Sequence, residues 1–251
     1  MKFTILSLGL LLALGQADAQ RVQPDELKTA KGALTIQPIE HATLLLTAEG
    51  KTIYVDPTGG VEKYKGFPAP DLIVITDIHG DHFDQPTIDA IKTAKTTLIV
   101  PAAVASKLSA ADQQRTVVMK NGDKQVNDGF TFTAIPMYNL PESPDAMHTK
   151  GRGNGYVIEI GKKRIYISGD TGGIPEMKSL KNIDVAFVCM NLPYTMNVDQ
   201  AAEAVLAFKP KIVYPYHYRG KDGFSDVHKF KALVNAGDKQ IEVRLKDWYQ
   251  Q

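Results

Sequence analysis

Short runs rich in β-branched and aromatic residues recur along the whole chain, and the order in which they are connected repeats. ALTIQPI (33–39), ATLLLTA (42–48) and TIYVD (52–56) follow one another at hairpin spacing, whereas LIVIT (72–76) and TLIV (97–100) are each followed by a helical pattern, PTIDAIKTA and AAVASKL (102–108). A second round opens with FTFTAI (130–135), GYVIEI (155–160) and RIYISGD (164–170), the last two joined across Gly161-Lys162-Lys163, a hairpin signal. It closes with DVAFVCM, KIVYPY and IEVRL, between which lie VDQAAEAVLAF after Asn197 and FSDVHKFKALVNA before Gly237. Hairpins predict antiparallel strands, and strand-helix alternation predicts parallel ones. Two such halves, each burying one sheet face against the other half and the opposite face under helices, predict an α/β protein folded as a four-layer α/β/β/α sandwich.

With 251 residues, 43% of them hydrophobic, the chain has material for one domain with a sizeable core, and no Pro/Gly/Ser-rich linker divides residues 20–251. Its 29 basic and 28 acidic residues are interspersed and sum to a formal charge of +1, so no basic block tracks a phosphate backbone. Nucleic acid is excluded as a binding partner, and a small molecule is expected as substrate. Nothing in the sequence sets an oligomeric state. The first nineteen residues, MKFTILSLGLLLALGQADA, read as a signal peptide cleaved before Gln20. Their apolar run from Phe3 to Leu14 is shorter than the roughly 20 residues that span a bilayer, and no later segment qualifies. An exported protein, periplasmic or secreted and without a membrane span, is expected. The lone cysteine, Cys189, follows VAFV and reads as a small core residue.

The chemistry concentrates in VITDIHGDHFD (74–84), where an apolar run ends in Asp77, His79, Asp81 and His82. Imidazoles and carboxylates this dense suit zinc, manganese or iron, and a solvated turn has no use for both histidines. Side chains two apart share a direction while a strand continues, which aligns Asp77 with His79 and Asp81. Further candidate ligands stand at other strand ends: His148 in the long loop from Tyr138 to Gly155, Asp170 closing RIYISGD, and His217 after KIVYPY. Asp170, before Thr171-Gly172-Gly173, has an equal claim as a turn-former. Asp56, ending TIYVD, reads as a turn cap, and His41 either as a support behind the ligands or as a satisfied histidine.

DIHGDH resembles the HxHxDH signature of the metallo-β-lactamase superfamily, and SGDT and PYHY are similar to its remaining ligand motifs. Within the superfamily, EHATLLLTAEGKTIYVDP, GDT and PYHY look most like the L-ascorbate-6-phosphate lactonase-like hydrolases. The resemblance implies two divalent metal ions, zinc first, with manganese or iron as options. His79 and His148 would hold one, with Asp77 where the family carries a histidine; Asp81, His82 and His217 would hold the other, and Asp170 would bridge. The harder oxygen of Asp77 either shifts preference toward manganese or iron or weakens the first site. Asp56 resembles the family's supporting aspartate.

Such a centre activates water and polarises the bond under attack, which makes a hydrolase of ester, lactone or phosphodiester-type small molecules the leading reading. Asp81 is the expected catalytic residue, orienting the water and handing a proton to the leaving group. Tyr138, Asn139, Arg152, Tyr194, Tyr216, Tyr218 and Arg219 lie in the motif-bearing loops and are expected to bind substrate, tyrosines at an oxyanion and arginines at a phosphate or carboxylate. A metal-binding sensory protein and an iron-dependent oxidoreductase on the same ligands are the alternatives.

Overall fold

Strand side chains alternate, and that alternation sorts the apolar residues of the first half into two cores. Leu44, Leu46, Ile53, Val55, Leu72, Val74 and Ile99 belong to the core shared with the second half, whereas Leu45, Tyr54, Ile73, Ile75, Leu98 and Val100 pack with Ile88, Ile91 and Val104 of the outer helices and with Leu108 in the turn beside them. The structure, a computed structural model, describes residues 21–249, so the expected signal segment 1–19 lies outside the described residues.

The first sheet runs in chain order: β1 (Asp25–Thr29), β2 (Gly32–Glu40), β3 (Thr43–Ala48), β4 (Lys51–Val55), β5 (Leu72–Val74), β6 (Thr97–Val100) and β7 (Thr116–Val118). Pairing is antiparallel as far as β4 and parallel from β4 onward. The second half contains β8 (Lys124–Asn127), β9 (Phe130–Met137), β10 (Gly153–Ile160), β11 (Lys163–Ile167), β12 (Val185–Cys189), β13 (Ile212–Tyr216), a two-stranded ribbon of β14 (Arg219–Gly220) with β15 (Gly223–Phe224), and β16 (Glu242–Val243). Its sheet is ordered β16-β13-β12-β11-β10-β9-β8 and again changes from antiparallel to parallel, at β11.

Helices α1 (Gln85–Ile91), α2 (Ala102–Ala105) and α3 (Ala110–Gln113) belong to the first half, and α4 (Pro175–Lys178), α5 (Val198–Phe208) and α6 (Val227–Gly237) to the second. Asn197 caps α5 in a capping box with Gln200, and the helix presents Ala201, Ala204, Val205 and Phe208 to the core. This is the expected α/β/β/α sandwich, with two mixed sheets inside and helices outside. Among the described residues no helix is long and apolar enough to cross a membrane.

Several elements depart from expectation. β1, β7 and β8 were not foreseen, because DELKT, TVV and KQVN carry too few apolar residues to mark a strand and are ordered by pairing with a neighbour. β5 stops at Val74, so the strand phase expected to align Asp77, His79 and Asp81 does not reach them. The two sheets meet at this point. The Asn154 N–H donates to Thr76 O (2.9 Å) and the Tyr156 hydroxyl to Ile75 O (3.2 Å), tying β10 to the chain just beyond β5.

Candidate metal centre

All seven candidate ligands come from segments that follow strands: residues 77–82 after β5, His148 after β9, Asp170 after β11 and His217 after β13. Their ligand atoms gather into two groups, Asp81, His82, Asp170 and His217 in one and Asp77, His79 and His148 in the other, with the atoms of each group within 4.8 Å of one another.

Asp170 stands between the groups. Its Oδ1 lies 3.2 Å from His217 Nε2, and its Oδ2 lies 3.2 Å from His148 Nε2 and 3.4 Å from His82 Nε2. Burial alone would raise its pKa, but the surrounding imidazoles, His217 and His82 first, hold the carboxyl well below the usual range. His82 and His217 are fully buried, with ring centroids 5.0 Å apart and Nε2 atoms 3.1 Å apart. Asp170 Oδ1 and His148 Nε2 are buried without a hydrogen-bond partner among the described residues. Buried polar atoms left without a partner among the other ligand atoms fit a divalent cation.

A buried carboxylate supports the larger group from behind. Asp56 Oδ1 accepts the Thr76 N–H (2.7 Å), and Oδ2 accepts the Thr76 hydroxyl (2.6 Å) and lies 2.8 Å from His82 Nδ1. A carboxylate only accepts, so His82 carries its proton on Nδ1 and turns Nε2 toward Asp170. Burial opposes charge on the ring, yet the Asp170 and Asp56 carboxylates raise its pKa well above the ordinary imidazole value. His41 supports Asp81: its Nε2 is 3.2 Å from Asp81 Oδ2 and its Nδ1 2.7 Å from the Tyr249 hydroxyl. Burial pushes His41 down to about 4. His41, Asp56 and His217 all have positive φ (54°, 44° and 47°), a left-handed conformation unfavourable for such residues and held here by the site around them.

The smaller group is arranged differently. Asp77 is fully buried, and His79 Nδ1 lies 2.8 Å from its Oδ2, but Arg152 forks the same carboxylate, Nη2 to Oδ2 at 3.0 Å and Nε to Oδ1 at 3.3 Å. Burial would raise the Asp77 pKa; the His79 hydrogen bond and the nearby cationic groups instead bring it to about 2. His148 is held by Asn139, whose Oδ1 accepts the His148 N–H (2.9 Å) and lies 3.2 Å from its Nδ1.

A cavity of about 280 Å³ opens over the centre, lined by His79, Asp81, Met147, His148, Asp170, Asn191 and Tyr194. Of the residues expected to bind substrate, Tyr194 lines it. Asn139 is spent on His148 and Arg152 on Asp77. Tyr216 is fully buried beside Phe187 and Trp248, where its hydroxyl accepts the Gly169 N–H (3.0 Å), so it supports the turn that carries Asp170 instead of bordering the pocket. Tyr138 is likewise buried and donates to Glu176 (2.9 Å). Tyr218 packs edge-on against Tyr249, and Arg219 is exposed with its guanidinium 5.1 Å from the Tyr249 ring centroid. The β period explains the error: in KIVYPYHY the residue before His217 points into the core. Thr76, Met147, Asn191 and Tyr249 were not foreseen. Only Thr76 had a signal, as the residue joining the apolar run to Asp77.

A family model described as "Beta-lactamase superfamily domain" matches residues 35–217, a span containing every candidate ligand. A Pyrococcus abyssi protein named a metal-dependent hydrolase is 35% identical over 219 residues, covering 82% of this chain and 93% of the relative. A crystal structure from Parabacteroides distasonis, provisionally described as a metal-dependent hydrolase, superimposes with a TM-score of 0.81 at 40% identity, covering 91% of this chain and 100% of the other. Igni18, a metallo hydrolase from Ignicoccus hospitalis, shares the fold at 24% identity, with a TM-score of 0.71 over 84% of this chain and 94% of its own.

Proposed function

The chain belongs to the metallo-β-lactamase superfamily and is a metal-dependent hydrolase of that fold; from that premise we propose that it cleaves an ester, lactone or phosphodiester-type small molecule with the help of two divalent cations. The observation that carries the two-ion reading is the position of Asp170, one carboxylate within 3.4 Å of imidazoles from both ligand groups.

When bound, the cations supply Lewis acidity and lower the pKa of water toward about 7. The chain supplies orientation and proton handling. Asp81, whose side chain is 42% exposed, lines the cavity while its Oδ2 is held by His41 and lies 3.3 Å from His217 Nε2. Partial burial alone would raise its pKa, but the His217 and His41 hydrogen bonds hold it far below the usual range, so it is anionic at neutral pH. It is positioned to accept a proton from water and deliver it to the leaving group. His41, neutral at that pH, donates from Nε2 to Asp81 and accepts the Tyr249 hydroxyl at Nδ1, which fixes the carboxylate's angle.

Two features favour attack at a carbonyl over attack at a phosphodiester. Arg152 is committed to Asp77, and among the described residues no lysine or arginine lines the cavity. The resemblance to L-ascorbate-6-phosphate lactonase-like hydrolases places lactones first among candidates. Export from the cytoplasm, from the N-terminal segment, is part of the same proposal.

The test is metal analysis of the purified protein joined to a panel of lactones, aryl esters and phosphodiesters. Bound metal with lactone or ester turnover is the expected result. Full metal occupancy with no hydrolysis would favour a sensory protein, and oxygen-dependent turnover with iron would favour an oxidoreductase.

A further inference from the structure

Among the described residues, the carboxylates of the larger ligand group, Asp81 and Asp170, form ion pairs only with imidazoles, whereas Asp77 in the smaller group is paired with a guanidinium. We infer that Arg152 competes with a metal ion for Asp77 and thereby makes the position formed by Asp77, His79 and His148 the weaker of the two. This rests on the metal-hydrolase reading above.

The competition falls on one atom. Asp77 Oδ2 is the oxygen that faces the other ligands, 2.8 Å from His79 Nδ1 and 3.7 Å from His148 Nε2, and it is also the oxygen that accepts from Arg152 Nη2 at 3.0 Å. A guanidinium keeps its charge at every relevant pH, so a cation arriving at that oxygen always meets a neighbouring positive charge. The Arg152 side chain is only 24% exposed and Asp77 fully buried, so water screens the repulsion poorly.

The backbone builds the fork in. The Arg152 N–H donates to Thr149 O (3.2 Å), and the following residue, Gly153, begins β10 against the ligand loop. A Cβ on Gly153 would lie 2.8 Å from Thr76 O and 3.3 Å from Asp77 Oδ1, so only glycine allows the chain to run this close to Asp77. Arg152 therefore reaches Asp77 from a fixed origin, and the pair is not an incidental surface contact.

The experiment titrates Mn²⁺ and Zn²⁺ into the chelator-treated protein by calorimetry, for the unaltered chain, Arg152→Gln and Arg152→Lys, with thermal melts to confirm folding. The unaltered protein is expected to show a tight and a weak step. Arg152→Gln, which removes the charge, should tighten the weak step about tenfold or more, equivalent to about 1.4 kcal/mol, and leave the tight step within about twofold. Arg152→Lys, which keeps the charge, should leave both steps close to the unaltered values. A weak step unchanged or further weakened in folded Arg152→Gln overturns the inference while leaving the hydrolase reading intact. Crystals of the unaltered protein soaked in Mn²⁺ give a second measurement: anomalous density should fill the larger group at lower ion concentration, and equal filling overturns the inference even if neither variant folds. No binding by the unaltered protein at any concentration overturns both.

Discussion

Two groups of ligands lie side by side at the same edge of the sandwich, and they accommodate buried negative charge in different ways. Around Asp170 the counter-charges are imidazoles, which exchange a proton for a metal ion, and among the described residues its Oδ1 has no hydrogen-bond partner. Around Asp77, the His79 imidazole shares the carboxylate with Arg152, a fixed guanidinium charge. The difference teaches that metal-ligand residue types in the right place do not make equivalent positions: what already satisfies each ligand decides how readily it will bind.

The sharpest break in the comparison is expected at the hub. Asp170→Asn should reduce hydrolysis about a thousandfold or more, several kcal/mol of lost transition-state stabilisation, and lower metal content at both positions; elemental analysis and kinetics check it. A smaller effect confined to one ion would show that Asp170 serves one group alone.

Removing the support behind the larger group should come next. Asp56→Ala strips His82 Nδ1, the Thr76 N–H and the Thr76 hydroxyl of their common acceptor. About 10- to 100-fold should be lost in affinity for the tighter ion, together with about 1–3 kcal/mol of stability for a buried group left unpaired. Unchanged affinity in the calorimetric titration would reduce Asp56 to a turn-former.

Asp77→Ala should then lower bound metal from about two ions toward one, with a smaller loss of activity than Asp170→Asn. The fold should lose about 3–5 kcal/mol because Arg152 is left without its buried partner. Two ions at full occupancy in this variant would make Asp77 a loop-shaping carboxylate. On sequence grounds Asp77→His restores an imidazole and tilts the position toward zinc; Arg152 changes that expectation. The single variant should bind the second ion poorly, and Asp77→His with Arg152→Gln should bind it well.

The mildest change belongs outside both groups. Arg219→Ala removes an exposed guanidinium lying over Tyr249 and should raise KM for a substrate carrying an anionic group a few-fold, with kcat nearly unchanged and no more than about 0.5–1 kcal/mol of stability lost with the exposed cation–π contact. A large fall in melting temperature would assign Arg219 to packing.

Much of this was legible in the sequence. Long apolar runs with a clear period announced both sheets and helices α5 and α6, because such runs bury the same face wherever the chain places them. Asp77, His79, Asp81 and His82 marked a candidate metal centre by density alone and His148 and His217 added to it, whereas Asp170 read equally well as a turn-former until the fold set it between the two groups. Local pattern also misled. Tyr216 and Tyr218 flank His217 in sequence, yet a strand sends alternate residues to opposite faces and Tyr216 went to the core. Tertiary structure alone decided that Arg152, 75 residues from Asp77, would hold it, that Tyr249 would reach His41, and that Thr76 would join Asp56, already read as a support, at His82. Residue type and period specify what each segment buries and which atoms it can offer a ligand; which charge meets which depends on distances between segments far apart in the chain, and these exist only once the two sheets have packed.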